Sequence, residues 1–172
     1  MSSQHYVNNK KLLQELTEYK KKYNEAVEKG KPLPEIPRYV AECILAINER
    51  LALKPNFANY PFVDEMKSDG IENCILYLYN YDPEKYQNPF AYLTTISWYA
   101  FIRRIQKEKR QLYIKLRATQ HQLVFDEAIS RQHHEDGRKG GANQLTQITE
   151  FASDFITEYE EGMKRKKKKA TS

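Results

Sequence analysis

Between positions 92 and 110 the chain sets Tyr92, Trp98 and Tyr99 beside Arg103, Arg104, Lys107, Lys109 and Arg110. Single-stranded DNA demands these two side-chain types: flat apolar rings on which bases stack, and cations that follow the phosphates. Each base-aromatic stack contributes about 1–3 kcal/mol and tolerates any base. Opening a base step costs a few kcal/mol, so two or three stacks would offset the melting of an AT-rich step. The competing reading of the same residues is a set of core rings beside a solvated basic face.

A second constellation precedes the first. Asp64, Glu65, Asp69 and Glu72 fall on the N-terminal half of a helical pattern, where carboxylates suit the positive end of the helix dipole and would attract a basic partner. The net charge of the 172 residues is only +5, but it is segregated: residues 103–117 hold seven bases and one acid, and residues 150–161 hold five acids and no base. Such separation says more about partners than the total does. Cys43 and Cys74 sit inside apolar helical patterns without CxxC spacing, so they read as reduced packing residues. His133 and His134, with Glu135 and Asp136, are the nearest approach to a metal site. Adjacent rings in a polar joint point in different directions, so no metal is expected. No nucleophile triad, phosphate loop or paired-carboxylate pattern stands out, and neither enzymatic activity nor a cofactor is expected.

The elements that must position these groups are helices. Leu12, Leu16, Tyr19, Tyr23 and Val27 recur at three- and four-residue steps until Gly30 and three prolines stop the pattern, which predicts an amphipathic helix laid against the main body. Val40, Cys43, Ile44, Ile47 and Leu51 form the stripe of a second helix that starts near Pro37. A third, from Phe62, is expected to turn Met66, Ile71, Ile75 and Leu78 inward. Gly70 in its middle costs up to about 1 kcal/mol relative to Ala, so another group must come close there. Asn88 and Pro89 are an N-cap and first-turn pair. The helix they open faces Leu93, Ile96, Ala100 and Ile105 inward, and its pattern extends through Leu112 and Leu116. Beyond Phe125 comes a polar, glycine-rich joint. A short helix then carries Ile148, Phe151 or Ala152, Phe155 and Tyr159 on one side, and a lysine-rich tail is expected to be disordered. No window approaches the roughly 20 apolar residues of a membrane span, and the first residues lack the apolar core of a signal peptide, so a cytoplasmic protein is expected.

Glu65, Ser68, Asp69, Gly70, Tyr81 and Asp82 resemble the signature of the second conserved region of bacterial sigma factors, and AYLTTISWYAFIRRI is similar to the helix that follows it. Together with YVNNKKLLQ, SDGIE and NPFAYLT, these segments place residues 6–115 close to the late-transcription sigma factors of T-even-type bacteriophages. The resemblance implies an all-α fold: an N-terminal helix over 1–30, a sigma region 2-like helical domain over 31–125, and a flexible linker, short amphipathic helix and basic tail over 126–172. It implies that Glu65, Met66, Ser68, Asp69, Glu72 and Asn73 bind the clamp helices of the largest subunit of the host RNA polymerase core. Tyr92, Trp98, Tyr99, Arg103 and Arg104 would then meet promoter DNA, with Lys107, Lys109 and Arg110 on its backbone. Primary sigma factors carry two adjacent tryptophans here, whereas this chain has Trp98 beside Tyr99. Nothing after Phe125 resembles a helix-turn-helix, so only a short AT-rich promoter element would be read. In that family a sliding clamp and a flap-binding coactivator strengthen such a factor. Phe151, Phe155, Ile156 and Tyr159 look like the clamp-binding motif. The expectation is a late-transcription sigma factor acting in the cytoplasm of an infected bacterium. The alternative is a helical accessory protein, an anti-sigma factor or an adaptor, that binds polymerase or nucleic acid without recognising promoters.

Overall fold

The computed structural model describes the backbone of residues 6–132 and 142–170, with the side chains of 6–122 and 149–169. Every described element is helical: α1 (Asn9–Glu28), α2 (Arg38–Ala52), α3 (Pro55–Ala58), α4 (Val63–Tyr77), α5 (Pro89–Gln132) and α6 (Ala142–Ala170), with one 3-10 turn at Leu78–Asn80. The all-α class read from the sequence is therefore the observed one. These helices form two compact units, Met1–Ile105 and Gln106–Ser172. No helix among the described residues is long and apolar enough to cross a membrane. His133, His134, Glu135, Asp136 and the glycines after them lie outside the described residues.

In the first unit, α1 lies against the main body as expected and forms part of its core. It buries Leu12, Leu16 and Tyr19 against Val40, Cys43, Ile44 and Ile47 of α2, together with Cys74, Leu78, Tyr81 and Leu93. Each fully buried side chain of this kind contributes about 1.5–3 kcal/mol relative to an exposed one. Val27, expected at the end of the α1 stripe, is exposed, and Ala26 is buried in its place. Polar caps tie the N-terminal segment down. Asn8 Oδ1 accepts the Lys11 N–H at 3.2 Å. Two residues cap α5: Asn88 Oδ1 accepts from Ala91 N–H at 3.0 Å, and Asn9 Oδ1 accepts from Phe90 N–H at 3.1 Å. The expected N-cap is thus joined by a second, which lies 81 residues before the Phe90 it caps.

Helix α4 turns Met66, Ile71 and Leu78 inward as predicted and departs from that face at Ile75. Its buried residues are Met66, Gly70 and Cys74, followed by Leu78 in the next turn, while Ile75 is exposed. A strict four-residue step through a glycine hides the stripe from any reading that weighs only large apolar residues. Gly70 sits where α2 and α5 press closest. A Cβ there would lie 1.9 Å from Asn48 Oδ1 and 2.9 Å from the ring of Phe101. Asn48 is wholly buried, and its Nδ2 donates to the Ile44 carbonyl at 2.9 Å. Its Oδ1 has no conventional donor among the described residues, and it lies in the direction of the missing Cβ, against the Gly70 Cα–H. Phe101 belongs to a second cluster with Leu51, Ala52, Phe57 and Met66.

In the second unit, α5 pairs with α6. Tyr113 stacks on Tyr159 with ring centroids 4.6 Å apart and donates its hydroxyl to Glu160 Oε1 at 2.9 Å, while Arg117 pairs with the same carboxylate at 3.2 Å. The lysine run expected to be disordered is instead the last turns of α6. Propagating a helix that is already nucleated costs little, and Lys is a fair helix former. An Arg165–Glu161 pair at 3.1 Å and the favourable end of the helix dipole also support it.

Both cysteines are free and buried, and burial pushes both thiols up. Contacts with the Ser97 hydroxyl and the Asn48 amide offset part of the effect at Cys74, although the Asn48 approach is not a bond of good geometry. As pH rises past the ordinary thiol value, the unfolded chain ionises first. The stability gained from keeping these thiols neutral is therefore complete below that value and lost above it. Cys43 and Cys74 should resist alkylation at pH 8 in the native protein and react on unfolding; rapid native labelling would contradict their burial. Gly70→Ala should cost about 1–3 kcal/mol in denaturant unfolding, because the crossing has no room for a methyl group. Asn48→Ala in the same chain should recover part of that loss, whereas strictly additive losses would mean that the two sites do not share a contact.

Candidate functional site

The two constellations meet on adjoining faces of α4 and the first half of α5. Asp64 and Glu65 lie in the first turn of α4, where the dipole favours them. Asp64 is taken by Lys67 at 2.6 Å, and that hydrogen bond holds the Lys67 amine above its usual range. Ser68 Oγ donates back to the Asp64 carbonyl at 3.0 Å. Glu65 and Glu72 point to solvent with no ion pair among the described residues.

Asp69 and Asn73 lie one turn apart and face α5. Arg104 grips Asp69 with two parallel bonds, Nε to Oδ2 and one terminal nitrogen to Oδ1, both 2.6 Å. The two side chains are only 17% and 25% exposed. A forked, partly desolvated pair fixes direction as well as distance. Next to it Arg103 donates to Asn73 Oδ1 at 2.6 Å, and Asn73 Nδ2 donates to the Asp69 carbonyl at 2.7 Å. Residues that the sequence assigned to two different partners are thus bonded to one another.

Met66 corrects the expected polymerase set. It is completely buried against Phe57 and Phe101, because the four-residue step that carries Gly70 and Cys74 inward carries Met66 with them. It supports the α4 face from beneath and offers no contact.

The three expected stacking rings also part company. Tyr92 is half-buried, its ring 5.1 Å from Tyr81 and 6.1 Å from Tyr86, and its hydroxyl donates to the Tyr77 carbonyl at 2.9 Å. Burial raises its phenol, with smaller contributions from Cys74, Tyr86 and Tyr79. Trp98 is also half-buried, its ring set edge-on to Phe57 at 4.8 Å. Tyr99 is 59% exposed and has no ring partner among the described residues. Arg103, four residues on, shares its helix face, is exposed, and has no carboxylate partner among the described residues. Lys107, Lys109 and Arg110 are exposed in the second unit.

Sequence reasoning missed an apolar strip at the C-terminal end of α4. Ile75 and Leu76 are 47% and 56% exposed, and Tyr77 and Tyr79 are exposed as well. With Ser68, Ile71 and Glu72, Ile75 and Leu76 line a shallow depression. The signal was the run ILYLY itself: five apolar residues exceed what one helix face can bury, so some must face out.

The four residues of the expected clamp-binding motif are not equivalent. Phe151 is 60% exposed, Phe155 and Tyr159 are half-buried, and Ile156 is buried within the second unit. Tyr159 is already stacked on Tyr113. Of the four, Phe151 alone is exposed.

A scan of protein-family models and a search of curated proteins returned no match to this chain.

The Asp69–Arg104 fork should show a coupling of about 1–2 kcal/mol in a double-mutant cycle of Asp69→Ala and Arg104→Ala read by denaturant unfolding. Additive losses would mean that the pair does not hold α4 to α5.

Proposed function

We propose that the chain is a sigma-type initiation factor of the late-transcription class found in T-even-type bacteriophages, acting in the cytoplasm of the infected cell. It brings core RNA polymerase to a short AT-rich promoter element and helps open it, and the polymerase alone is the catalyst. The observation that carries this reading is the forked Asp69–Arg104 bond, which makes one rigid block of an acidic helix and an aromatic, basic one. A factor that must hold a protein with one face and strained DNA with the other needs such rigidity, since any play between the faces would be lost work.

On the α4 side Glu65, Ser68 and Glu72 border the apolar strip of Ile75 and Leu76. This is an anionic rim around a hydrophobic centre, suited to basic helices such as the clamp helices of the largest polymerase subunit. Rim charges act mainly on the rate and orientation of encounter, and the apolar centre holds the complex. On the α5 side Tyr99 is the ring available for stacking, and Arg103 follows the phosphate beside it. Tyr92 and Trp98 serve as the packed base beneath. A sliding clamp and a flap-binding coactivator remain partners in this proposal, with Phe151 as the accessible anchor. A second reading, an accessory protein without promoter recognition, draws support from the same packing of Tyr92 and Trp98, which leaves one free ring where two or three would melt DNA more readily.

Run-off transcription separates the two. Core polymerase supplemented with this protein should initiate at a fixed position on a template with an AT-rich upstream element; initiation at random positions supports the accessory reading. Tyr99→Ala should keep polymerase binding and the unfolding midpoint while lowering thymine reactivity in the open complex several-fold, the loss of one stack. Unchanged reactivity would remove Tyr99 from melting. Reversing charge at Glu65 and Glu72 should reduce recovery of core polymerase at low salt most strongly, and equal recovery would place the docking face elsewhere.

A further inference from the structure

Helix α6 is divided into two halves of opposite charge. Residues 150–161 carry five acids, and residues 164–169 are six consecutive bases. The second half is helical and exposed. Cations in the last turn of a helix answer its dipole, but that effect ends within one turn and the run is longer. Within the run every i,i+3 and i,i+4 neighbour has the same charge, and Glu161, paired with Arg165, is the acid that immediately precedes it.

The fold sets a second cationic stretch beside the first. Tyr113 and Tyr159 are in contact, and α5 continues to Gln132 while α6 begins at Ala142. At 1.5 Å per residue these ends lie about 29 Å and about 26 Å from the contact. Parallel helices would put them roughly 55 Å apart, beyond the roughly 35 Å that the connecting residues can span. The helices must therefore be antiparallel. Counting outward from the Tyr113–Tyr159 contact, the start of the lysine run lies level with Arg110 and Lys107. Packed helix axes are about 8–10 Å apart, so the two charge sets lie within a Debye length of each other. Residues 106–117 add five bases against the single acid Glu108.

We propose that this end of the second unit is a grip for the phosphate backbone of duplex DNA, formed jointly by Lys164–Lys169 of α6 and Lys107, Lys109 and Arg110 of α5. Spacing selects the duplex. The α6 run advances one cation per 1.5 Å, and B-DNA carries one phosphate charge per about 1.7 Å of axis, whereas a single strand carries about half that density. Six successive helical residues point all round the axis, which suits a polyanion followed by backbone contacts and carries no base specificity. An anionic membrane is the lesser fit. Lying on a bilayer needs a free apolar face, and Ile156 and Tyr159 of α6 are committed to the pairing with α5. The grip goes beyond the proposed initiation function and is tested without polymerase, so either can fail alone.

The full chain is titrated against a 30-base-pair duplex of arbitrary sequence by fluorescence anisotropy between 50 and 200 mM NaCl. Replacing all six α6 bases with Gln should lower the slope of log affinity against log salt by about 3 and weaken binding at 150 mM about 100-fold. Far-UV circular dichroism of that variant should stay near wild type. Lys107→Gln, Lys109→Gln and Arg110→Gln together should lower the slope by about 2 with the α6 run intact. An unchanged slope in the first variant overturns the site, and an unchanged slope in the second overturns its two-helix construction. Equal wild-type affinity for a single strand of the same length overturns the duplex assignment. Binding to phosphatidylserine vesicles that is lost in the six-Gln variant while DNA binding is kept would replace DNA by a membrane.

Discussion

The first unit depends on the absence of a side chain. At Gly70, α4 runs so close to α2 and α5 that the amide of Asn48 and the ring of Phe101 occupy the space a methyl group would need. The glycine costs helix propensity, but the approach it permits lets two apolar clusters share one short helix. Phe101 and Met66 close one cluster, and Cys74 and Leu78 close the other. The buried Asn48 is the toll of the arrangement: its Nδ2 is satisfied within α2, and its Oδ1 faces the Gly70 Cα–H with no conventional donor among the described residues.

The close approach also decides where charge is placed. Asp69 immediately precedes Gly70, so the same proximity that excludes a Cβ brings its carboxylate within 2.6 Å of Arg104. One turn later Asn73 meets Arg103 in the same way. A fully exposed ion pair would contribute little, but a forked pair at this depth gives direction to both helices. What remains outside the seam is simple: Glu65 and Glu72 on one side, Tyr99 on the other.

The second unit solves a different problem with the same tools. Its acids and bases are segregated along the sequence, and an antiparallel pairing turns that linear order into a spatial one. Glu160 meets Tyr113 and Arg117 near the middle of the pair, which leaves the basic end of α6 alongside the basic stretch of α5. The apolar residues Ile156 and Tyr159 are used for the pairing itself.

Helical periodicity was enough to give the all-α class, the stripe of α2 from Val40 to Leu51, the packing of α1 through Leu12, Leu16 and Tyr19, and the Asn88 cap, because each rests on neighbours within a few residues. Residue types alone also indicated that residues 92–110 join rings to cations and that Gly70 marks a close approach. Only the tertiary structure decided which rings are free, since Tyr92, Trp98 and Tyr99 have equal standing in a sequence and differ only in what Tyr81, Phe57 and solvent offer them. It likewise decided that Ile75 faces outward and that Asp69 and Arg104 face each other across 35 positions. The reason is one of range. Local pattern fixes the phase of a helix to within about a residue, and a one-residue error turns a side chain by about 100°, enough to exchange core for surface. Contacts between distant segments, written nowhere in that pattern, set the final angle.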